Sequence, residues 1–187
     1  MSLILLGILN SQAAGVSAGA YDLLETQVLT SSAASVTFTG LDSYTDYKHL
    51  QFRIVARSDR ATQDYDVAYI NFNNDTGSSY AHHRIQGTGS SVTIYGNSGL
   101  TVGLAGYLTA AGDSVTNSFA GMVLDILDFS STTKNTTTRG LWGNVSDDTY
   151  IGFGSNLWNT TSAVTEIDFT CVSNYIAGSR FSLYGVK

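Results

Sequence analysis

Apolar and polar residues alternate with a period of two along most of the chain, from Tyr21 onward. This alternation is typical of β-strands, whose successive side chains point to opposite faces of a sheet. No stretch shows the sustained spacing of three to four residues that an amphipathic helix needs. The candidate strands are SVTFTGL, HLQFRIVA, DVAYINF, AHHRIQG, SVTIYG, LTVGLAGYL, FAGMVLDILDF, TRGLWGNV, IGFGS, AVTEIDFTCV and RFSLYGV.

Turn signals separate these candidate strands. They include NNDTG at Asn73–Gly77, GNSG at Gly96–Gly99 and AGD at Ala111–Asp113. Asn, Asp and Gly accept the backbone angles that tight turns require, and the chain contains no proline to take their place. Short strands at this spacing favour a sandwich or a barrel. We therefore predict an all-β, single-domain, jelly-roll-like β-sandwich of about eight to ten strands, spanning residues 21–187 behind an N-terminal apolar extension.

The chain opens on an uncharged apolar run, MSLILLGILNSQAAG. No Lys or Arg precedes the run, whereas a secretory signal peptide carries positive charge there. The run is also much shorter than the roughly 20 residues of a membrane span. We expect residues 1–20 to form a retained docking segment and linker that packs on a neighbouring subunit or on the chain's own sandwich. The expected docking side chains are Leu3, Ile4, Leu5, Leu6, Ile8 and Leu9.

Composition narrows the classes of function. A formal net charge of −6 and scattered basic residues argue against a protein that grips nucleic acid phosphates. Charged residues make up only 13% of the chain, so its polarity comes mainly from Ser, Thr, Asn and Gly. The single cysteine, Cys171, cannot form an internal disulfide, and its apolar neighbours predict a small core residue rather than a reactive thiol.

No group of residues predicts catalysis or metal binding. His82 and His83 are adjacent, so on a strand they point to opposite faces and cannot chelate one ion together. The segment Asn71–Asp75 has no acid at the first position of a calcium loop and no Glu at the end of a twelve-residue loop, so it is better explained as a turn. Asp147 and Asp148 are most simply a solvated acidic pair. We therefore expect no enzyme activity, no metal and no cofactor.

Tyrosine is abundant, with 11 residues, and several aromatic residues fall near predicted strand ends or loops. Exposed Tyr and Trp are common in protein interfaces and can stack on sugar rings. Core filling and strand propensity are the competing explanation for the same residues. The candidate surface-contact residues are Tyr44, Tyr47, Tyr80, Trp142, Tyr150 and Trp158.

Three blocks resemble a known group of proteins. They are LLGILNSQAAG, AYDLLETQVLTSSAASVTFTGLDSYTDYKHLQFRIVARSD and INFNNDTGSSYAHHRIQG, within residues 3–90. Together they resemble virion structural proteins, of the head-decoration or tail type, from tailed bacteriophages of marine and cyanobacterial hosts. The second half matches this group only in its Gly-, Ser- and Thr-rich strands. The blocks carry no catalytic motif, so the resemblance implies a fold and a virion origin.

The resemblance implies a non-enzymatic virion protein, assembled in the cytoplasm of a host bacterium. The expected role is a capsid decoration or cement protein that docks through its apolar N-terminus. Its expected partners are the major capsid protein or tail subunits and further copies of itself, as a homotrimer by analogy. Neither nucleic acid nor a membrane is an expected partner. A tail or fibre component that contacts the host surface, and a carbohydrate-binding sandwich, are the alternatives.

Overall fold

The computed structural model describes residues 20–112, 115–144 and 150–187. These residues form twelve β-strands and one short 3₁₀ turn at Leu41–Ser43. The strands are β1 Tyr21–Val28, β2 Ala33–Thr39, β3 His49–Ala56, β4 Tyr65–Phe72, β5 Tyr80–Thr88, β6 Val92–Leu100, β7 Gly103–Thr109, β8 Ala120–Leu127, β9 Thr136–Asn144, β10 Tyr150–Trp158, β11 Glu166–Tyr175 and β12 Arg180–Val186.

The strands form two antiparallel sheets of unequal width. The large sheet has eight strands in the order β1-β12-β3-β8-β9-β10-β5-β6, and the small sheet has four in the order β2-β11-β4-β7. The predicted all-β sandwich is confirmed, with more strands among the described residues than expected. Because the large sheet is twice as wide, the small sheet cannot cover all of its inner face, and this mismatch positions the cleft described below.

Two local predictions differ from the structure. The sequence pattern did not single out β1, whose apolar and polar residues pair with β12 at the edge of the large sheet. The predicted turn at Gly96–Gly99 is wrong, because β6 continues through it and pairs with β5. β6 lies at the outer edge of the large sheet and pairs with only one neighbour, so it can contain several small residues. Its Gly-rich sequence therefore resembles that of a turn. The register between β5 and β6 shifts by one residue between Tyr80 and Ala81, and this bulge lets the two strands remain paired.

The core lies between the sheets and is rich in aromatic rings. Phe52 on β3 makes edge-on contacts with Phe38 and Phe169 of the small sheet, at centroid distances of 5.0 and 4.8 Å. Phe181 on β12 extends the cluster to Tyr175, at 5.0 Å. All five rings are fully buried. Edge-to-face pairs of this kind stabilise a fold by about 0.5–1.5 kcal/mol beyond the burial of their area.

A second cluster joins the predicted Asn73–Gly77 turn to the core. Asn73 and Asn74 adopt positive φ angles of 52° and 54°, which asparagine tolerates better than most residues. The carboxylate of Asp75 then accepts hydrogen bonds from the backbone N–H of Gly77 and from the indole N–H of Trp158, both within 2.8 Å. The predicted turn is confirmed, and its acid also holds a core tryptophan.

Candidate functional site

The outer face of the large sheet carries a continuous row of exposed apolar side chains. Strands β8, β9, β10, β5 and β6 place one such residue each at directly paired positions. The row runs through Val123, Leu141, Phe153, Ile85 and Ile94. Paired side chains in a sheet lie about 4.5–5.5 Å apart at Cβ, so these five residues form one unbroken surface.

A neighbouring row contains glycines that open a groove. Val55 pairs with Gly121, Gly121 with Gly143, and Gly143 with Ile151. Because the two glycines lack side chains, the surface sinks between Val55 and Ile151 into a groove of about 490 Å³. Its lining is almost wholly apolar. The same row continues from Ile151 through Gly87 to Val92. We call the two rows together the outer apolar face: Val55, Ile85, Val92, Ile94, Val123, Leu141, Ile151 and Phe153.

The outer apolar face is exposed and sharply bounded. Leu141 is 58% exposed and Ile151 is 67% exposed. On one side the next row is polar, where Arg139 Nε donates to Asp125 Oδ2 at 2.8 Å. A soluble monomer rarely presents a contiguous apolar patch of this kind, and such patches commonly mark interaction sites.

On the other face of the same sheet, β5 and β6 extend past the small sheet. Beyond β7, the edge of the small sheet, their inward side chains border a cleft of about 380 Å³. We call it the inter-sheet cleft. It is lined by Val67, Tyr69, His82, Arg84, Leu100, Thr101, Val102, Gly103, Leu104 and Tyr107.

The guanidinium of Arg84 is the main charged group of the inter-sheet cleft. Its Cζ lies 4.5 Å from the ring centroid of Tyr95, the directly paired residue on β6, and 5.4 Å from that of Tyr107. Its Nε donates to Gln86 Oε1 at 2.9 Å. Two cation–π contacts and a hydrogen bond hold the guanidinium in one place.

His82 is the neighbour of Arg84 along the inward side of β5. Arg84 Nη1 lies 3.4 Å from His82 Nε2, so the imidazole accepts there and carries its proton on Nδ1. Burial, followed by the charges of Arg84 and His83, lowers the pKa of His82 and keeps the ring neutral. The buried Nδ1 has no hydrogen-bond partner among the described residues.

Three tyrosines close the end of the sandwich beside the cleft. Tyr65, Tyr107 and Tyr150 lie 5.0–5.4 Å apart by ring centroids, and the rings of Tyr107 and Tyr150 are nearly parallel. Arg60 lies 6.0 Å from the Tyr65 ring and pairs with the fully buried Asp66 at 3.6 Å. Tyr107, the member of the group that lines the cleft, is therefore supported from behind by the other two rings.

Three predicted surface aromatics are not on the surface. Tyr80, Trp142 and Trp158 are 1%, 3% and 3% exposed, so the expectation that they make surface contacts is wrong. Tyr80 and Trp158 belong to strands that extend further than the sequence pattern indicated, and both occupy inward positions there. The indole of Trp142 lies over Gly152 and Gly154, whose missing side chains make room for it.

The other predicted contact residues have mixed positions. Tyr44 and Tyr47 are half-buried and pack against the core, and Tyr150 is half-buried in the tyrosine group. The predicted docking side chains of residues 3–9 lie outside the described residues, as do Asp147 and Asp148. His82 and His83 do point to opposite faces, one inward and one exposed.

Sequence reasoning missed the residues that form both surfaces. Ile85, Leu141, Ile151 and Phe153 lie within candidate strands, but the sequence pattern assigned them to neither face. Arg84 was not singled out at all. AHHRIQG and TRGLWGNV do alternate between polar and apolar residues, which indicates strands. The alternation does not show which of the two faces is buried.

The described part of the chain contains no cluster of three or more His, Cys, Asp and Glu side chains that could hold a metal ion. None of its helical segments is long and apolar enough to cross a membrane.

Comparison with known proteins gives no family. No family model matches the chain, and no curated protein matches it. Among solved structures it is similar to an exo-inulinase from Aspergillus awamori, at 11% identity and a TM-score of 0.36, over 89% of this chain and 29% of the enzyme. It is also similar to a GH43 glycoside hydrolase, at 11% identity and a TM-score of 0.32, over 89% of this chain and 36% of the enzyme.

A third similar structure is the legume lectin-like domain from Entamoeba histolytica, at 10% identity and a TM-score of 0.21, over 89% of this chain and 90% of that domain. The chain spans about a third of the length of the two hydrolases. None of these likenesses is close enough to bear on function.

Proposed function

We propose that this protein is a non-enzymatic structural component of a bacteriophage virion that assembles through apolar contacts. The observation that carries the proposal is the outer apolar face, an uninterrupted exposed row across five strands of the large sheet. Burying such a surface contributes roughly 25 cal/mol per Å² of apolar area, which favours association. The resemblance of residues 3–90 to phage virion proteins supports the same role.

The partner on this face is the N-terminal segment, residues 3–9, of a second copy of the chain. The segment is aliphatic and uncharged, as the groove is, and its Leu and Ile side chains suit the space above Gly121 and Gly143. The described chain begins beside the groove, because the ring of Tyr21 lies 5.5 Å from the guanidinium of Arg53, which lines it.

The linker between this segment and β1 is long enough for exchange between copies. Residues 9–21 span up to about 40 Å when extended, at roughly 3.3 Å per residue. Measured from Tyr21, the groove lies about three strand spacings across the sheet, or about 14 Å, and about six residues along the strands, or about 20 Å. A contact between the segment of one copy and the face of the next is heterologous, and heterologous contacts form a ring when the rotation between neighbouring copies closes. A homotrimer is the expected ring.

The oligomeric state tests this role. In analytical ultracentrifugation the full chain should sediment as a trimer, whereas Leu141→Asp and a deletion of residues 2–15 should both sediment as folded monomers. Val172→Asp is the matched control, because Val172 is 55% exposed on β11 of the other sheet and should leave the trimer intact. Circular dichroism would verify the β-sandwich in each variant.

Each alternative result has a defined meaning. A full chain that is monomeric would overturn the proposed assembly. If the deletion variant stayed trimeric while Leu141→Asp became monomeric, the outer apolar face would still be the interface. The N-terminal segment would then not be what binds to it.

Within the virion we propose a capsid decoration or cement role, with the acidic polar surface exposed on the particle. Immunogold labelling of particles that contain the protein tests this position. Label over the head is the expected result, and label confined to the tail or its fibres would replace decoration with the tail role.

A further inference from the structure

We propose that the inter-sheet cleft binds an acidic sugar residue of the hexuronic acid class, with its carboxylate on Arg84. This inference does not depend on the assembly role, because the cleft lies on the opposite face of the large sheet from the outer apolar face.

Arg84 is a prepared anion-binding group. Its Nε is occupied by Gln86 and its Nη1 faces His82, and two tyrosine rings pack on the guanidinium. Among the described residues Arg84 forms no salt bridge and its Nη2 makes no hydrogen bond. A planar carboxylate matches the donors of a guanidinium, and charge-assisted hydrogen bonds are about twice as strong as neutral ones.

The charge of the site favours a single carboxylate over a phosphate. Arg84 is the one cationic side chain that lines the cleft within the described residues, because His82 is held neutral. A phosphate monoester carries about −1.5 to −2 charges and would be only partly compensated. The net charge of −6 likewise disfavours a heavily sulfated or phosphorylated ligand.

The remaining lining fits a sugar ring rather than a bare anion. Tyr69 and Tyr107 bring phenol groups to the cleft, and Leu100, Val67 and Leu104 bring apolar surface. A pyranose has the same division, with hydroxyl groups at its edge and an apolar C–H face. The cleft volume of about 380 Å³ lies within the range of small-ligand sites and accommodates one sugar unit.

The large sheet also contains a matched control for Arg84. Arg53 on β3 packs over the ring of Tyr184 at 4.6 Å, and its Nε donates to Gln51 Oε1 at 3.1 Å, which repeats the Arg84–Tyr95–Gln86 arrangement. Arg53 lies on the open outer face beside an apolar groove, not in a polar cleft. The two arginines therefore separate the effect of the cleft from that of a stacked arginine.

The test is a calorimetric titration of the full chain with tri-galacturonic acid and with its neutral methyl ester. We expect the acid to bind and the ester to bind at least about tenfold more weakly, as for the loss of one charge-assisted pair. Arg84→Met should lose at least about tenfold in affinity, and Arg53→Met should match the wild type. Arg84→Lys serves if Arg84→Met does not fold, and its point charge should bind several-fold more weakly.

Three results would overturn the proposal. Equal binding of acid and ester would remove the role of the carboxylate. Unchanged binding by both Arg84 variants would place the ligand elsewhere. If inorganic phosphate or acetate bound the cleft as tightly as tri-galacturonic acid does, the cleft would be a general anion site with no sugar recognition. The oligomeric state of each variant reports the assembly role separately.

Discussion

The side-chain amide of Asn156 on β10 hydrogen-bonds both backbone groups of Leu104 on β7, across the two sheets. Leu104 N donates to Asn156 Oδ1 at 2.7 Å, and Asn156 Nδ2 donates to Leu104 O at 2.8 Å. Since β7 is the edge strand of the small sheet, the amide acts as a partner for backbone groups that no further strand pairs. Asn156 Nδ2 also donates to Thr138 Oγ1 at 2.7 Å.

Replacing this amide should destabilise the sandwich. In Asn156→Leu the backbone N–H and C=O of Leu104 remain buried without a partner, and each unsatisfied group costs about 1–3 kcal/mol. We expect the free energy of unfolding, measured by urea titration, to fall by at least about 2 kcal/mol. Asn135→Ala removes an exposed amide pair with Asn159 and should change it by less than about 0.5 kcal/mol. Equal stability of the two variants would show that the bridge is dispensable.

Gly152 is required by the ring of Trp142. A Cβ at this position would overlap the Cε2 and Cζ2 atoms of the buried indole. We expect Gly152→Ala to lower the free energy of unfolding by about 1–3 kcal/mol, the usual cost of overpacking a core. Gly89→Ala, whose Cβ would meet no atom within 4 Å, is the control and should be near neutral. Thermal unfolding followed by circular dichroism compares them, and a neutral Gly152→Ala would mean that the indole can move.

The carboxyl group of Asp75 should make the free energy of unfolding depend on pH in the acid range. Hydrogen bonds from Trp158 and from the Gly77 backbone lower the pKa of its carboxyl in the folded protein. The stabilisation is therefore present above the ordinary pKa of about 3.9 and is lost as the pH falls through the folded value. Asp75→Asn should be less stable than the wild type at pH 7, and the gap should narrow below about pH 4.

Urea midpoints measured between neutral and acid pH test this. Asp42→Asn, at the exposed 3₁₀ turn, is the matched carboxylate control and should change the free energy of unfolding at pH 7 by less than about 0.5 kcal/mol. A gap for Asp75→Asn that does not change with pH would mean that the indole bond has no ionic character.

Cys171 should react slowly in the folded protein. Burial, aided by the charge of Asp66, raises the pKa of its thiol to about 12. Because the thiolate is the reacting species, labelling by a disulfide reagent at pH 8 should be at least about a hundredfold slower than in denaturing urea. Absorbance of the released thiol measures both rates, and similar rates would contradict a buried thiol.

The sequence predicted the fold class for a clear physical reason. Alternation with a period of two survives in single segments such as HLQFRIVA, and Asn73–Gly77 has the residues that a left-handed turn needs. Strand ends were less predictable. Tyr80 and Trp158 sit one to three residues beyond the predicted strands, and that shift is enough to move an aromatic ring from an expected surface position to the core.

Both candidate surfaces depended on pairing across distant strands. Nothing local shows that Leu141 and Phe153 face solvent, because an outward apolar residue and an inward one alternate in the same way. Arg84 and Tyr107 are far apart in the sequence and meet only because β5 extends beyond β7. Neither the Leu141–Phe153 pair nor the Arg84–Tyr107 contact could be predicted from the neighbouring residues in the sequence.

By itself, the sequence determined that the chain forms antiparallel strands with Gly- and Asn-rich turns, because backbone sterics and side-chain alternation act over a few residues. Only the tertiary structure decided which half of each alternating strand is buried. The small sheet covers only the inner face of the large sheet, and only part of it. The outer face therefore leaves its apolar row exposed, and the uncovered edge of the inner face borders an arginine-centred cleft.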